Sequence, residues 1–361
     1  MIGRGSPRPY TESLKRLVAL IVVIVAVALG RATSAQQTFT DSLFTRYLDA
    51  LLEEAGIPGM SGIVLHEGNV LWERHFGRSD IDSGTMPDGN TPYAIGTMSQ
   101  IFGSTLLLKK CVDEGSRQPT EPIANWLPGF SEPNATLLHL LAHVQPNGAY
   151  KYDTARFSFL TPIIEACANM SYERVLAEDV FSILGLADSV PGTALATPTP
   201  QDFVTFGANN LSRYVSILGR IATPYSVDTR GRAIRSEPSP ARVNASTGVV
   251  TTVRDLARFD AGLRHAILLT PTTQVAAWSR PVPALPMASG WFAQNYNGNA
   301  VVWQFGVVPG AYGSLIVKVP NRQLTFILLA NSDRLNAPFA LEDGDVTASL
   351  FARTFLRLYV P

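Results

Sequence analysis

The chain is short of charge, of cysteine and of long apolar runs, and each shortage excludes something. Charged residues make up 16% of its 361 positions, with 29 basic against 29 acidic. No basic run occurs, so there is no electrostatic footprint for a nucleic acid, and none is expected as a partner. Two cysteines, Cys111 and Cys167, are too few for a thiolate metal site. The histidines do not supply one either. His139 and His143 are spaced i, i+4, but no third ligand accompanies them, so core or capping roles are expected. No metal and no cofactor are expected. One apolar run stands out, and it lies near the N-terminus.

That run, Leu17 to Leu29, follows Arg4, Arg8, Lys15 and Arg16 and precedes Thr33-Ser34-Ala35, a small-x-small cleavage site. Residues 1–35 therefore read as an export signal. The remainder, 36–361, is expected outside the cytoplasm, periplasmic or secreted. The run falls short of the roughly 20 residues a membrane span needs, so a membrane anchor is expected only if the signal stays uncleaved. Removing 1–35 leaves 24 basic and 28 acidic residues, a mildly acidic chain. An oxidising compartment would permit a Cys111–Cys167 bridge. Both cysteines lie on apolar helical stretches, however, where a free buried thiol is a common core residue, and free thiols are the expectation.

Apolar residues recur at helical spacing from Ser42 to Ala55, where Gly56-Ile57-Pro58-Gly59 stops the helix. Ser61–Leu65 and Asn69–Phe76 read as a hairpin around Glu67-Gly68. A helix is expected from Thr97 to a glycine stop at Gly115. From Pro119 to about Leu263 the signals are helical, with irregular stretches at Val190–Pro200 and Ser226–Pro240. Strand signals return at Gly290–Gln294, Ala300–Phe305, Gly313–Val319 and Gln323–Leu329, and an amphipathic helix, Asp343–Tyr359, closes the chain. Strands at both ends with helices between imply an α+β fold. One antiparallel sheet is built from both termini and flanked by helices. The sheet lobe covers about 40–115 and 280–361, and an inserted, mostly helical lobe covers about 116–279.

Several blocks, in one order, resemble a known family. They are Gly59-Met60-Ser61-Gly62-Ile63-Val64, Tyr93-Ala94-Ile95-Gly96-Thr97-Met98-Ser99-Gln100, Leu138-His139-Leu140-Leu141-Ala142-His143, Tyr152-Asp153-Thr154, Ser246-Thr247-Gly248-Val249-Val250, and Trp303-Gln304-Phe305-Gly306. From about residue 42 onward the chain is similar to the serine β-lactamase and penicillin-binding-protein-like superfamily. The likeness is on the side of class C β-lactamases, D-alanyl-D-alanine peptidases and related esterases. The resemblance implies a β-lactamase/transpeptidase-like fold. It also implies acyl transfer by a serine at a helix N-terminus, with a lysine three residues on, a proton-shuttling tyrosine and a sheet-edge Lys or His.

Measured against those motifs, the chain departs at each catalytic corner. Thr97-Met98-Ser99-Gln100 stands where Ser-x-x-Lys is expected. Tyr152-Asp153-Thr154 replaces Tyr-x-Asn, and Gln304-Phe305-Gly306 replaces Lys/His-x-Gly. The resemblance thus puts Thr97, Gln100 and Tyr152 at the nucleophile, lysine and tyrosine positions. It puts Thr154, Gln304, Gly306 and Val307 in the binding cleft, with the Val307 N–H as an oxyanion donor. Gln100 and Gln304 take up no proton, and losing such a group typically costs about 10²- to 10⁴-fold. Thr97 is expected as a helix N-cap. Ser99 has no base beside it, Lys109 and Lys110 lie too far along the helix, and Lys151 reads as solvated surface. The expectation is an exported serine-hydrolase homologue that is catalytically degenerate and keeps its cleft for a small-molecule or peptide ligand. The alternative is an active esterase or peptidase-type hydrolase of acyl substrates using Thr97 and Tyr152.

Overall fold

Six strands, four of them buried along nearly their whole length, pair into one antiparallel sheet. In chain order the strands are β1 (Gly59–His66), β2 (Asn69–Gly77), β3 (Tyr93–Ala94), β4 (Tyr225–Val227), β5 (Ala233–Arg235), β6 (Val250–Thr251), β7 (Phe292–Tyr296), β8 (Asn299–Val308), β9 (Tyr312–Val319) and β10 (Leu324–Ala330). The main sheet runs β2-β1-β10-β9-β8-β7, so the first hairpin docks on the last strand, with Ile63 opposite Ile327. Both ends of the sequence therefore build the sheet, as expected. The computed structural model describes residues 36–361 except Pro133, and the expected export signal, 1–35, lies outside the described residues.

Continuous apolar strands need cover on both faces, and neighbouring residues of β10 show how it is provided. Thr325 points to one face and bonds Asp260 of helix α8 (Val253–Arg264). Phe326 points to the other and stacks on Phe355 of helix α10 (Leu350–Tyr359), with ring centroids 4.9 Å apart. Residues 48–361 form one compact unit. Within it α1 covers 48–55 and α2 spans Gln100–Leu107. The remaining helices are α3 (Leu137–Leu141), α4 (Thr154–Phe157), α5 (Leu160–Ala168), α6 (Tyr172–Leu176), α7 (Pro200–Leu218) and α9 (Pro271–Trp278). In the other unit, residues 36–47 are helical. Among the described residues no helix is long and apolar enough to cross a membrane.

Four expectations change. The stretch Ser226–Pro240, read as irregular, contributes to a small hairpin, β4 with β5. The closing helix is shorter than Asp343–Tyr359. Gly344 turns left-handed at φ 90°, and Ser349 caps α10 by accepting from Ala352 N–H. After α2 the helix continues as wider turns over Leu108–Asp113, and the left-handed residue that stops it is Ser116, not Gly115. Cys111 and Cys167 are joined in a disulfide, with Cα atoms 5.4 Å apart. Apolar helical patterning hid this pairing. Only the packing of α5 against α2 and its continuation brings the two thiols together.

The bridge closes a loop across a sequence separation of 56, worth about 4 kcal/mol in the chain-entropy account. Replacing both residues by alanine should lower the calorimetric melting temperature by several degrees. An unchanged melting temperature in the oxidised protein would refute a stabilising bridge.

Candidate functional site

Two glycines set the site by letting backbones meet. Strand β3 pairs with β6, and the chain then turns at Gly96 with φ 54°. A Cβ at Gly96 would fall 2.5 Å from the Val307 carbonyl oxygen. A Cβ at Gly306 would fall 1.9 Å from that of Ile95. The tight turn Gly96–Ser99 is thereby pressed onto β8, carrying Thr97 to the sheet edge. Thr97 is half-buried, and its Oγ1 donates to the Phe305 carbonyl at 3.3 Å. The side chain caps no helix, contrary to expectation, because the turn places it against the strand instead of over an open N–H. Ser99 is fully buried and structural. It donates to Gly96 O at 2.7 Å and accepts from Val249 N–H at 3.1 Å.

Behind Thr97 lies a closed network of uncharged groups. Gln100 and Gln304 are completely buried. Gln100 Oε1 accepts from Gln304 Nε2 at 3.4 Å and faces His143 Nε2 at 3.2 Å. Gln100 Nε2 donates to Ser246 Oγ at 3.4 Å. Gln304 also donates to Gly290 O, and its own oxygen accepts from Phe305 N–H. His143 Nδ1 accepts from the Asp153 N–H at 2.8 Å, so the neutral ring carries its proton on Nε2 and donates to Gln100. Burial pulls the His143 pKa down to about 3, more than the nearby Asp153 carboxylate raises it. The residue also holds a left-handed φ of 55°, costly for a non-glycine residue and held by its surroundings.

Tyr152 stacks on His143 at 4.6 Å, with Phe305 and Phe292 also beside it at 5.6 and 5.9 Å. Its hydroxyl is buried without a partner of hydrogen-bonding geometry. Burial pushes its pKa up, and the neighbouring Thr97 and Gln100 side chains offset this only in part. It stays a neutral phenol at ordinary pH.

These groups border a cleft of about 560 Å³ lined by Thr97, Tyr152, Thr154, Phe305, Val307 and Glu342, among others. The structure thus gathers Thr97, Tyr152, Thr154 and Val307 at one opening. Gln100 and Gln304 sit beneath its floor, outside the lining. Gly306 contributes by its close approach to the turn. Asp153 caps α4 through the Arg156 N–H, and Lys151 is exposed. His139 serves a capping box with Thr136. Sequence reasoning assigned no site role to His143, Ser246 or Glu342. His143 and Ser246 lie in blocks that carry the resemblance, but nothing local marks their role, and nothing at all marks Glu342, since their importance comes from what the fold sets beside them.

A sheet made from both ends of the chain, a buried helical turn at its edge and a tyrosine across the opening define a serine β-lactamase-type scaffold. The beta-lactamase family matches residues 44–348, and the chain belongs to that family. It is similar to penicillin-binding protein 4* of Bacillus subtilis, 20% identical over 342 residues that cover 80% of this chain and 72% of that protein. Its fold resembles that of the octameric penicillin-binding protein homologue from Pyrococcus abyssi, with a TM-score of 0.69 and 18% identity, covering 88% of this chain and 77% of the other. It also resembles a class C beta lactamase from Rhodobacter sphaeroides, with a TM-score of 0.64 and 18% identity, covering 88% and 98%.

Two outcomes check the network. Gln100→Leu would leave the His143 and Gln304 donors facing hydrocarbon, and should cost roughly 2–4 kcal/mol in urea unfolding. A loss below about 0.5 kcal/mol would show that the bonds are not formed. The second concerns acid. Between the ordinary histidine value of 6.5 and about 3, the unfolded chain binds a proton that folded His143 refuses. Its contribution is therefore full above pH 6.5 and falls as pH drops toward 3, by at most about 1.4 kcal/mol per pH unit. His143→Asn should remove up to one proton's worth of that slope. An identical slope in wild type and variant would count against a buried neutral histidine.

Proposed function

We propose that this protein is an exported member of the beta-lactamase family that has given up acyl transfer and keeps its cleft to bind a ligand. The observation that carries this reading is the chargeless network at Gln100. Within the network behind Thr97, and at Tyr152 beside it, no described side chain takes a proton at neutral pH. His143 has both ring nitrogens engaged, and Tyr152 holds its proton tightly. A threonine nucleophile needs a base nearby. The Thr97 hydroxyl is instead directed at a backbone carbonyl. The Cys111–Cys167 disulfide fits an oxidising compartment, in keeping with the export signal read at 1–35.

The cleft's surroundings indicate the ligand class. A second cavity of about 500 Å³ adjoins the first and shares Thr247, Val307 and Pro309 with it. Its wall is largely apolar, with Leu218, Ile221, Pro224 and Tyr312. The two linings hold Glu237 and Glu342 but no Lys, Arg or His. An anionic ligand would meet only like charge. The ligand that fits is a neutral or cationic small molecule or peptide with an apolar arm.

Incubation of residues 36–361 with a fluorescent penicillin and with a p-nitrophenyl ester, followed by intact-mass measurement, should give no covalent adduct. An adduct that disappears in Thr97→Ala would overturn the reading. An N-acyl dipeptide amide should raise the melting temperature more than its free acid does. Equal shifts would contradict the charge argument.

A further inference from the structure

A cavity of about 360 Å³ lies apart from the cleft and shares no residue with it. It sits where α8 and α9 meet the β9–β10 end of the sheet. Its wall includes Asp260 and Arg264 from α8, Gln274 and Trp278 from α9, Lys318 from β9 and Thr325 from β10. Lys318 and Thr325 are directly opposite in the ladder, so both side chains leave the sheet on one face. Both reach Asp260, which accepts from the Lys318 amine and, at 3.1 Å, from Thr325 Oγ1. The Lys318 amine also lies over the Trp278 ring, 5.1 Å from its centroid. Burial draws the Lys318 pKa down to about 7, while the touching Asp260 carboxylate favours the ammonium form.

The charges in this wall do not balance. Asp260 answers Lys318, and Arg264 remains. Among the described residues the Arg264 guanidinium meets one side chain at hydrogen-bonding distance, His265 Nε2 at 3.4 Å, and it lies against Gly68 of the β1–β2 turn. Three buried polar atoms around the cavity have no hydrogen-bond partner among the described residues. They are Arg264 Nε, Trp278 Nε1 and Gln274 Oε1. Each such atom left unmet costs about 1–3 kcal/mol. Natural interiors hold few of them, and three around one cavity ask for an occupant.

We propose that this cavity binds a small hydroxy- or amino-carboxylate. The surplus positive charge and the Arg264, Trp278 and Lys318 N–H donors suit one carboxylate. The Gln274 oxygen suits a hydroxyl or ammonium donor on the adjacent carbon. The Asp260 carboxylate opposes a phosphate dianion, and one carboxylate is too few for a divalent cation.

Titration calorimetry on residues 36–361 tests this with lactate and alanine as probes and with lactamide and inorganic phosphate as comparators. Saturable binding of lactate or alanine is expected, unchanged in Thr97→Ala. Binding should weaken roughly tenfold or more in Arg264→Gln and in Gln274→Leu. These positions are chosen because Lys318→Met would leave Asp260 buried without its partner and endanger folding. Circular dichroism confirms that each variant is folded. No saturable heat with lactate or alanine would mean a cavity filled by water and would overturn the proposal. So would equal binding of lactamide or phosphate, or unchanged affinity in both folded variants.

Discussion

Two neutral donors converge on one neutral acceptor beneath the cleft, and the rest of the site follows from that arrangement. The Gln100 side-chain oxygen takes hydrogen bonds from His143 and Gln304 at 3.2 and 3.4 Å. The His143 proton sits on Nε2 because its other nitrogen already accepts from Asp153 N–H. A lysine at position 100 would bring a third donor group to this point and leave two N–H groups without an acceptor. A lysine at position 100 is therefore incompatible with this histidine tautomer. The changes at positions 100 and 304 belong to one substituted network, in which every polar group is met without charge. In a site of low dielectric, such closure is what makes buried amides tolerable.

Scaffold and chemistry separate cleanly here. The tight approach of Gly96 and Gly306, which presses the turn onto β8, is a backbone feature and stands with glutamine at positions 100 and 304. So do the antiparallel sheet, the helical cover on both faces and the cleft itself. Tyr152 remains at the opening, stacked among His143, Phe292 and Phe305, with its hydroxyl enclosed. Charge is spread unevenly among the cavities. The cleft and its apolar neighbour carry glutamates without a cation, whereas the cavity under α8 and α9 carries a surplus cation.

Much of the fold was legible because it rests on local pattern. Short apolar runs bounded by turn residues mark the strands, and the turn at Asn297-Gly298 takes the left-handed angles its residue types favour, 47° and 76°. The motif positions Thr97, Tyr152, Thr154 and Val307 do meet at one cleft. The errors arose where a tertiary partner overrode a local preference. Thr97 has the chemistry of an N-cap but turns to a strand carbonyl. Cys111 and Cys167 sit on patterns that suit free thiols, yet two packed helical segments set their Cα atoms 5.4 Å apart. His143 looked like a core histidine, and it is one, but the core at that point is the floor of the site.

The sequence by itself determined the α+β arrangement, the family and the absence of a lysine or histidine at positions 100 and 304. Those properties depend on residue type and on spacing along the chain, which are one-dimensional. Only the tertiary structure decided that the two glutamines meet each other and His143 and that the cysteines bond. It alone gathered six residues from two helices and two strands around a separate cavity with surplus positive charge. Each of these is a distance between residues far apart in the chain. Such distances are set by the packing of helices on the sheet, which no local pattern encodes.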